Sequence, residues 1–137
     1  MEETNKFFET YCDFVTKVTS DPSLEINSLK ESMDNIQVNS NIDIPRLLTG
    51  ALGLSSESGE FTEIVKKILL QGKPSDEESI FHMKRELGDI MWYWVTACMA
   101  LKLNPTEVIS ENQKKLEARY GKKFTINQSE VRTEGDL

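Results

Sequence analysis

The chain has 137 residues, long enough for one domain with a sizeable core and short for two. Its 16 basic and 23 acidic residues give a formal net charge of −7, which argues against a broad surface for nucleic acid or an anionic membrane. The two cysteines, Cys12 and Cys98, lack Cys-x-x-Cys spacing and indicate neither a zinc ribbon nor a disulfide framework.

The N-terminal sequence has no basic region followed by an apolar stretch, and the apolar run over residues 90–101 is too short to span a bilayer. We therefore expect a cytoplasmic protein without membrane or nucleic-acid partners.

The first helical pattern consists of apolar residues that recur every three or four positions from Phe7 to Val18. It predicts an amphipathic helix that ends near Ser20-Asp21-Pro22-Ser23. Residues 24–43 mix a few apolar positions with Asn, Ser and Asp, and predict a short helix followed by a loop.

Three long helices are predicted downstream. Pro45 suits the first turn of a helix that continues to Gln71, before Gly72-Lys73-Pro74. Ser75 and Glu78 form a predicted capping box for a helix running towards Leu103. A further start signal at Asn104-Pro105-Thr106-Glu107 predicts a last helix that ends at Tyr120-Gly121.

No segment alternates with period two, so the sequence predicts an all-α, antiparallel four-helix-bundle-like domain over residues 1–121. Residues 122–137 form a polar tail that we predict to be mobile. Trp92, Tyr93 and Trp94 point in three successive directions around their helix. Together they give this helix more apolar surface than the core of one bundle needs. We therefore expect a homodimer or a larger assembly.

Two pairs of acidic residues carry the chemistry. A helix turns about 100° per residue, so Glu57 falls within the apolar arc of its helix, with Glu60 on the flank and Glu63 on nearly the opposite face. On the next helix, Glu86 and Asp89 share one side. On neighbouring antiparallel helices the four carboxylates would converge, and their repulsion would favour a bound cation such as Mg²⁺ or Mn²⁺.

Each pair alone also suits an ordinary helix surface. The combination of the pairs with Gly59 and Gly88, which lie in the middle of predicted helices, favours a site that a backbone or a ligand approaches closely.

Basic and amide side chains form a stripe on the last helix. Asn112, Lys115 and Arg119 share one side, whereas Lys114 points away. An acidic cluster that faces this stripe would suit a polyphosphate chain, whose charge must be neutralised along its length. A solvated basic face near the end of a helix is the alternative interpretation.

Three segments resemble the all-α nucleotide pyrophosphohydrolases of the MazG-like group: GLSSESGEFTEIVKKILLQGK, KRELGDIMWYW and NQKKLEARYG. The resemblance extends from Leu47 to Gly121 and includes the E-x-x-E and E-x-x-D pairs. It implies Mg²⁺-dependent cleavage of a nucleoside triphosphate between the α- and β-phosphates. It also implies a homodimer or tetramer with active sites near the subunit interfaces.

Roles for individual residues follow from this resemblance together with the acidic pairs. Glu57, Glu60, Glu86 and Asp89 would bind the metal, and Glu60 or Glu57 would act as the general base. Asn112, Lys115 and Arg119 would bind the substrate, the two cations through its phosphates.

Two other functions are compatible with the sequence. A non-enzymatic helical interaction or regulatory protein would use the tryptophan-rich helix as an interface, and a phosphoribosyl-ATP pyrophosphohydrolase would keep the chemistry with another substrate. A ferritin-like di-metal oxidase is disfavoured, because it needs Glu-x-x-His motifs on two helices and the chain has one histidine, His82.

Overall fold

The computed structural model describes the backbone of residues 2–121 and the side chains of residues 6–121. This part of the chain forms six α-helices and no strand, which confirms the predicted all-α fold. None of these helices is long and apolar enough to cross a membrane. The polar tail predicted over residues 122–137 lies outside the described residues.

The chain divides into two compact units, Met1–Ile44 and Pro45–Leu137. The prediction of one domain over residues 1–121 therefore stays a prediction. The first unit contains α1 (Glu2–Val18), α2 (Asp21–Leu24) and α3 (Ile26–Asn39). The second contains α5 (Glu77–Ala100), α6 (Pro105–Tyr120) and nearly all of α4 (Ile44–Gln71).

The helix and the following loop that we predicted in residues 24–43 are both present, but the helix is longer than predicted and the loop is confined to residues 40–43. The 14 residues of α3 continue the helix to Asn39, and Ser40 then donates its backbone N–H to the carbonyl of Ile36. Leu29, Met33 and Ile36 share one face of this helix. The Asn and Ser residues between them each cost only tenths of a kcal/mol, about 0.7 at most, so the apolar period outweighs them.

The ends of α4 and α6 follow the predicted signals. Gly72 adopts a φ of 71° after α4, in the left-handed region that glycine enters without steric cost. At the start of α6, the Asn104 side chain accepts a hydrogen bond of 2.9 Å from the backbone N–H of Thr106. Gly121, with a φ of 58°, follows the last residue of α6.

The predicted capping box of Ser75 and Glu78 at the start of α5 is wrong. The N-cap is Asp76, whose carboxylate accepts a hydrogen bond of 2.9 Å from the backbone N–H of Ser79. The fully buried Ser79 donates its hydroxyl to the carbonyl of Pro74 at 2.9 Å. With Asp76 as the N-cap, α5 starts one residue later than the predicted capping box would place it.

We expect Asp76→Ala to lower the melting temperature by a few degrees at neutral pH, because the substitution leaves an N–H of the first turn without its acceptor. Ser75→Ala is the control and should have little effect. The hydrogen bonds from Ser79 lower the pKa of Asp76, so its contribution is present above pH 3.8 and is lost as the pH falls through the lowered pKa. Thermal melts across the acidic range measure both effects, and equal losses from the two variants would contradict this cap.

Helices α4 and α5 pack closely through small residues. A Cβ atom added at Gly50 would lie 3.0 Å from the Cβ atom of Ala97, and one added at Gly53 would overlap the ring of Tyr93. As the residue number rises along α4, that of its partner on α5 falls, so the two helices are antiparallel. This contact fixes their register and places the next turns of α4 opposite Glu86.

Candidate active site

Three carboxylates meet between α4 and α5. One carboxylate oxygen each from Glu57, Glu60 and Glu86 lies within 4.8 Å of the other two. Glu57 is one helical turn beyond Gly53, on the stripe that packs against α5. We call these three carboxylates the acidic cluster. Glu57 and Glu86 are half-buried and Glu60 is exposed, so the cluster opens to solvent at Glu60.

The acidic cluster disfavours negative charge on Glu57. Partial removal from water raises the pKa of Glu57, and the nearby charges of Glu60, Asp89 and Glu86 raise it further. A hydrogen bond to Glu86 contributes in the same direction, which requires a proton between the two carboxyl groups. A proton or a cation therefore stabilises this arrangement.

Asp89 is exposed and lies outside the group of three converging oxygens. Its charge still acts on Glu57, which places the fourth predicted acid beside the cluster.

The donor set fits a divalent cation. Carboxylate oxygens from two helices supply the hard ligands that Mg²⁺ and Mn²⁺ prefer, and a cation would relieve the repulsion that raises the pKa of Glu57.

Glu63 lies on a different side of α4, as predicted from the helical period. It forms ion pairs with Lys66 and, at 3.3 Å, with Lys67. The hydrogen bond from Lys66 lowers the pKa of Glu63, the opposite direction from Glu57. His82 has a side chain that is 45% exposed and lies 3.7 Å from the carboxylate of Glu78, as expected for a surface residue.

The sequence interpretation missed the residues that bring the two helices together. The described chain places no atom within 4 Å of a Cβ added at Gly59 or Gly88, so the close contact between helices lies elsewhere. It occurs at Gly50 and Gly53, which precede Glu57 at intervals of three and four residues. That spacing was the available signal, because it puts two glycines on the same stripe as the first acid.

An apolar groove of about 650 Å³ is lined by residues of α4, α5 and α6. Leu54 lies one turn before Glu57, and Leu87 and Ile90 directly follow Glu86 and Asp89. The polar residue of the groove is Asn112 of α6. The structure thus places one of the three predicted substrate-binding residues in a groove whose lining includes sequence neighbours of the acids.

The two predicted cationic residues lie further along α6. Lys115 is exposed, and Arg119 is half-buried with its guanidinium 5.2 Å from the centre of the Tyr120 ring. Lys114 lies 4.0 Å from the carboxylate of Glu111, and both side chains are more than two-thirds exposed. The roles of Lys115 and Arg119 in phosphate binding stay predictions.

A family model for the MazG nucleotide pyrophosphohydrolase domain matches residues 47–124, more than half of the chain. The chain belongs to the MazG nucleotide pyrophosphohydrolase family. The matched segment contains all four acids and the α6 residues, whereas α1 to α3 lie outside it. MazG domains are pyrophosphatases that typically depend on a divalent metal, which supports a hydrolase function here. Neither a curated protein nor a solved structure matches this MazG chain.

Proposed function

We propose that this MazG protein hydrolyses a nucleoside triphosphate between the α- and β-phosphates, with Mg²⁺, to a monophosphate and pyrophosphate. The observation that carries this proposal is the convergence of three carboxylates from two antiparallel helices within 4.8 Å. The family match supplies the reaction class, and the raised pKa of Glu57 supports a site that is completed by a cation.

Glu57, Glu60, Glu86 and Asp89 would hold Mg²⁺, and Mn²⁺ would substitute for it. A divalent cation held there would neutralise phosphate charge and lower the pKa of an attacking water. Glu60 is exposed at the open side of the cluster, where its carboxylate can accept the proton of that water. Glu57 is the other candidate for the base.

Asn112 would orient the substrate from the groove, and Lys115 and Arg119 would neutralise the phosphates.

The reaction can be tested by incubating the purified protein with a panel of nucleoside triphosphates, with Mg²⁺ and with EDTA. Chromatography that separates mono- from diphosphates should show only monophosphate and an equal amount of pyrophosphate, and none in EDTA. A diphosphate with inorganic phosphate would contradict the cleavage position. Activity on phosphoribosyl-ATP alone would show that the protein is a phosphoribosyl-ATP pyrophosphohydrolase. No turnover, together with no Mg²⁺-dependent stabilisation, would favour a non-enzymatic protein.

We expect Lys115→Ala to lower kcat/KM by roughly 10- to 100-fold, because the loss of one charge-assisted phosphate contact costs about 1.5–3 kcal/mol. Lys114→Ala is the matched control. Lys114 makes only a solvent-exposed contact with Glu111, and such pairs contribute little. Steady-state kinetics on the preferred nucleotide measure both variants, and equal losses would place the phosphate-binding stripe on another face of α6.

We also propose that the protein is a cytoplasmic homodimer or tetramer. Large apolar side chains of the second unit are exposed in a single chain, including Leu52 at 71%, Leu70 at 79% and Trp92 at 59%. Of the apolar side chains that the structure describes, only Ile44, Cys98 and Ala100 are buried. Light scattering at micromolar concentration should show an assembly, and a monodisperse monomer would contradict this.

A further inference from the structure

The apolar groove between α4, α5 and α6 contains a single amide side chain. Seven of the eight residues that line it are apolar, and the eighth is Asn112 of α6. Its volume of about 650 Å³ is within the range of about 300–1,000 Å³ that sites for small molecules have. Leu87, Met91 and Ile109 are each more than half exposed, so the groove is open to solvent and a ligand can enter it.

We propose that this groove binds the base of the nucleotide, which stacks on Trp94 and forms hydrogen bonds with the side chain of Asn112. The inference rests on the proposed function for the kind of ligand, and it adds a base site to the phosphate site of that function. Trp94 and Asn112 then make the protein selective for nucleotides over inorganic polyphosphates.

The chemistry of the groove separates the base from the phosphates. Among the described residues, no charged side chain lines the groove, so a phosphate group placed there would lose its water without gaining a counter-charge. A base is a flat, uncharged ring, and apolar walls favour its burial. The cations of α6, Lys115 and Arg119, follow Asn112 along the helix and lie outside the lining. The groove therefore suits the base, and the acids and cations suit the phosphates.

The groove starts one helical turn from the acidic cluster. Ile90 follows Glu86 by four residues and Leu54 precedes Glu57 by three, and residues with this spacing on a helix have Cβ atoms about 5–6 Å apart. Trp94 lies one turn beyond Ile90, about 12 Å along the helix axis from Glu86. The sugar and the α-phosphate would span the distance between a base at Trp94 and a metal at the cluster.

Trp94 and Asn112 suit different parts of a base. An indole ring offers a face on which any base can stack, so stacking contributes affinity that depends little on the identity of the base. The Asn side chain has a carbonyl acceptor beside an NH₂ donor, the pattern that pairs with adjacent donor and acceptor groups on the edge of a base. Stacking thus supplies affinity, and the amide orients the ring.

Fluorescence locates the base, because the two tryptophans of the chain are two residues apart on α5 and point about 200° apart. Trp92→Phe leaves Trp94 as the only tryptophan, and Trp94→Phe leaves Trp92. In Mg²⁺, at least one of the four common nucleoside monophosphates should quench Trp94 saturably, and inorganic tripolyphosphate should not. Quenching of Trp92 alone, of neither tryptophan, or of Trp94 equally by tripolyphosphate would overturn the inference.

Calorimetric titrations measure the contribution of each residue without turnover. Trp94→Ala should weaken binding of the quenching monophosphate roughly 5- to 100-fold, the loss expected for one stacked base, and leave the affinity for tripolyphosphate unchanged. Asn112→Ala should also weaken only the monophosphate. Phe81→Ala is the matched control, because it removes an exposed aromatic ring of α5 outside the groove and should change neither affinity.

Trp94→Leu repeats the test with a side chain that fills more of the groove but has no aromatic face, in case alanine unfolds the protein; helical circular dichroism checks the fold. Equal losses of both ligands in a folded Trp94 variant would place the phosphates in the groove and contradict the inference.

Failure of the base site and failure of the proposed reaction give different results. A protein that binds tripolyphosphate with Mg²⁺ but no monophosphate at Trp94 would lack the base site, whatever its activity. A protein that binds a monophosphate at Trp94 but releases no pyrophosphate from any nucleoside triphosphate would have the base site without the proposed reaction. The fluorescence titration and the pyrophosphate assay, carried out on the same preparation, separate these two cases.

Discussion

Glu57→Gln should abolish pyrophosphate release and raise the melting temperature of the metal-free protein. The substitution removes one charge from a group of three carboxylates whose oxygens lie within 4.8 Å, and keeps the side-chain size. It also removes a hard ligand, so we expect kcat/KM to fall by more than about 100-fold. Function and stability would thus trade off at one residue of the acidic cluster.

The metal dependence separates this interpretation from a structural role. Wild type should gain about 2.7 kcal/mol when Mg²⁺ reaches 100 times its dissociation constant, and Glu57→Gln should lose most of this gain. Glu63→Gln is the matched control on the same helix, because Glu63 pairs with Lys66 and Lys67 and lies away from the cluster. It should keep its activity and its Mg²⁺ shift. A Glu57→Gln protein that melts lower in EDTA and keeps the full shift would refute the metal site.

The pH dependence has a definite sign. The pKa of Glu57 is raised in the folded protein above its ordinary value of 4.5, so the folded state binds its proton more tightly than the unfolded state. Without metal, stability should therefore fall as the pH rises from about 4.5 through the raised pKa. Glu57→Gln should lack that part of the decline. The gain in stability of Glu57→Gln over wild type should vanish below pH 4.5 and be largest at neutral pH. Thermal melts in EDTA across this range would show this.

Gly53→Ala should destabilise the fold by about 1–3 kcal/mol, because the added methyl group overpacks the contact between α4 and α5. A Cβ atom at this position overlaps one edge of the Tyr93 ring, from Cε1 and Cδ1 to Cγ, so the whole ring and not only its tip would have to move. Either Tyr93 leaves its rotamer or the helices separate. Separation would move Glu57 away from Glu86, so activity should fall as well.

Gly59→Ala is a control on the same helix that should change the free energy of unfolding in the opposite direction. No described atom lies within 4 Å of a Cβ added at Gly59, so this substitution should gain about 0.5–1 kcal/mol from helix propensity alone. In a Tyr93→Ala background the cost of Gly53→Ala should disappear, because the ring that it meets is absent. Denaturant unfolding of the single and double variants measures the coupling. A Gly53→Ala protein as stable as wild type would contradict the close contact.

Local signals in the sequence determined most of the helices. Periods of three and four residues depend only on the chain itself, so α1, α4, α5 and α6 were predicted from apolar positions and from Pro, Asn and Gly at their ends. The same angular argument separated Glu57 and Glu60 from Glu63, because the direction of a side chain on a helix follows from its position. Where competing local signals were close in energy, the sequence prediction was less accurate: the cap predicted at Ser75 lies at Asp76, and the helix predicted within residues 24–43 was too short.

The contact between the two acidic helices depended on the tertiary structure. The convergence of Glu57, Glu60 and Glu86 requires a register between α4 and α5, and packing at Gly50 and Gly53 sets that register. A helix period gives the side on which a residue lies, but it does not say which turn of another helix comes opposite. That choice results from shape matching between side chains distant in the sequence, such as Tyr93 over Gly53. The sequence thus determined which residues could form the cluster, and only the packing of the two helices decided that they meet.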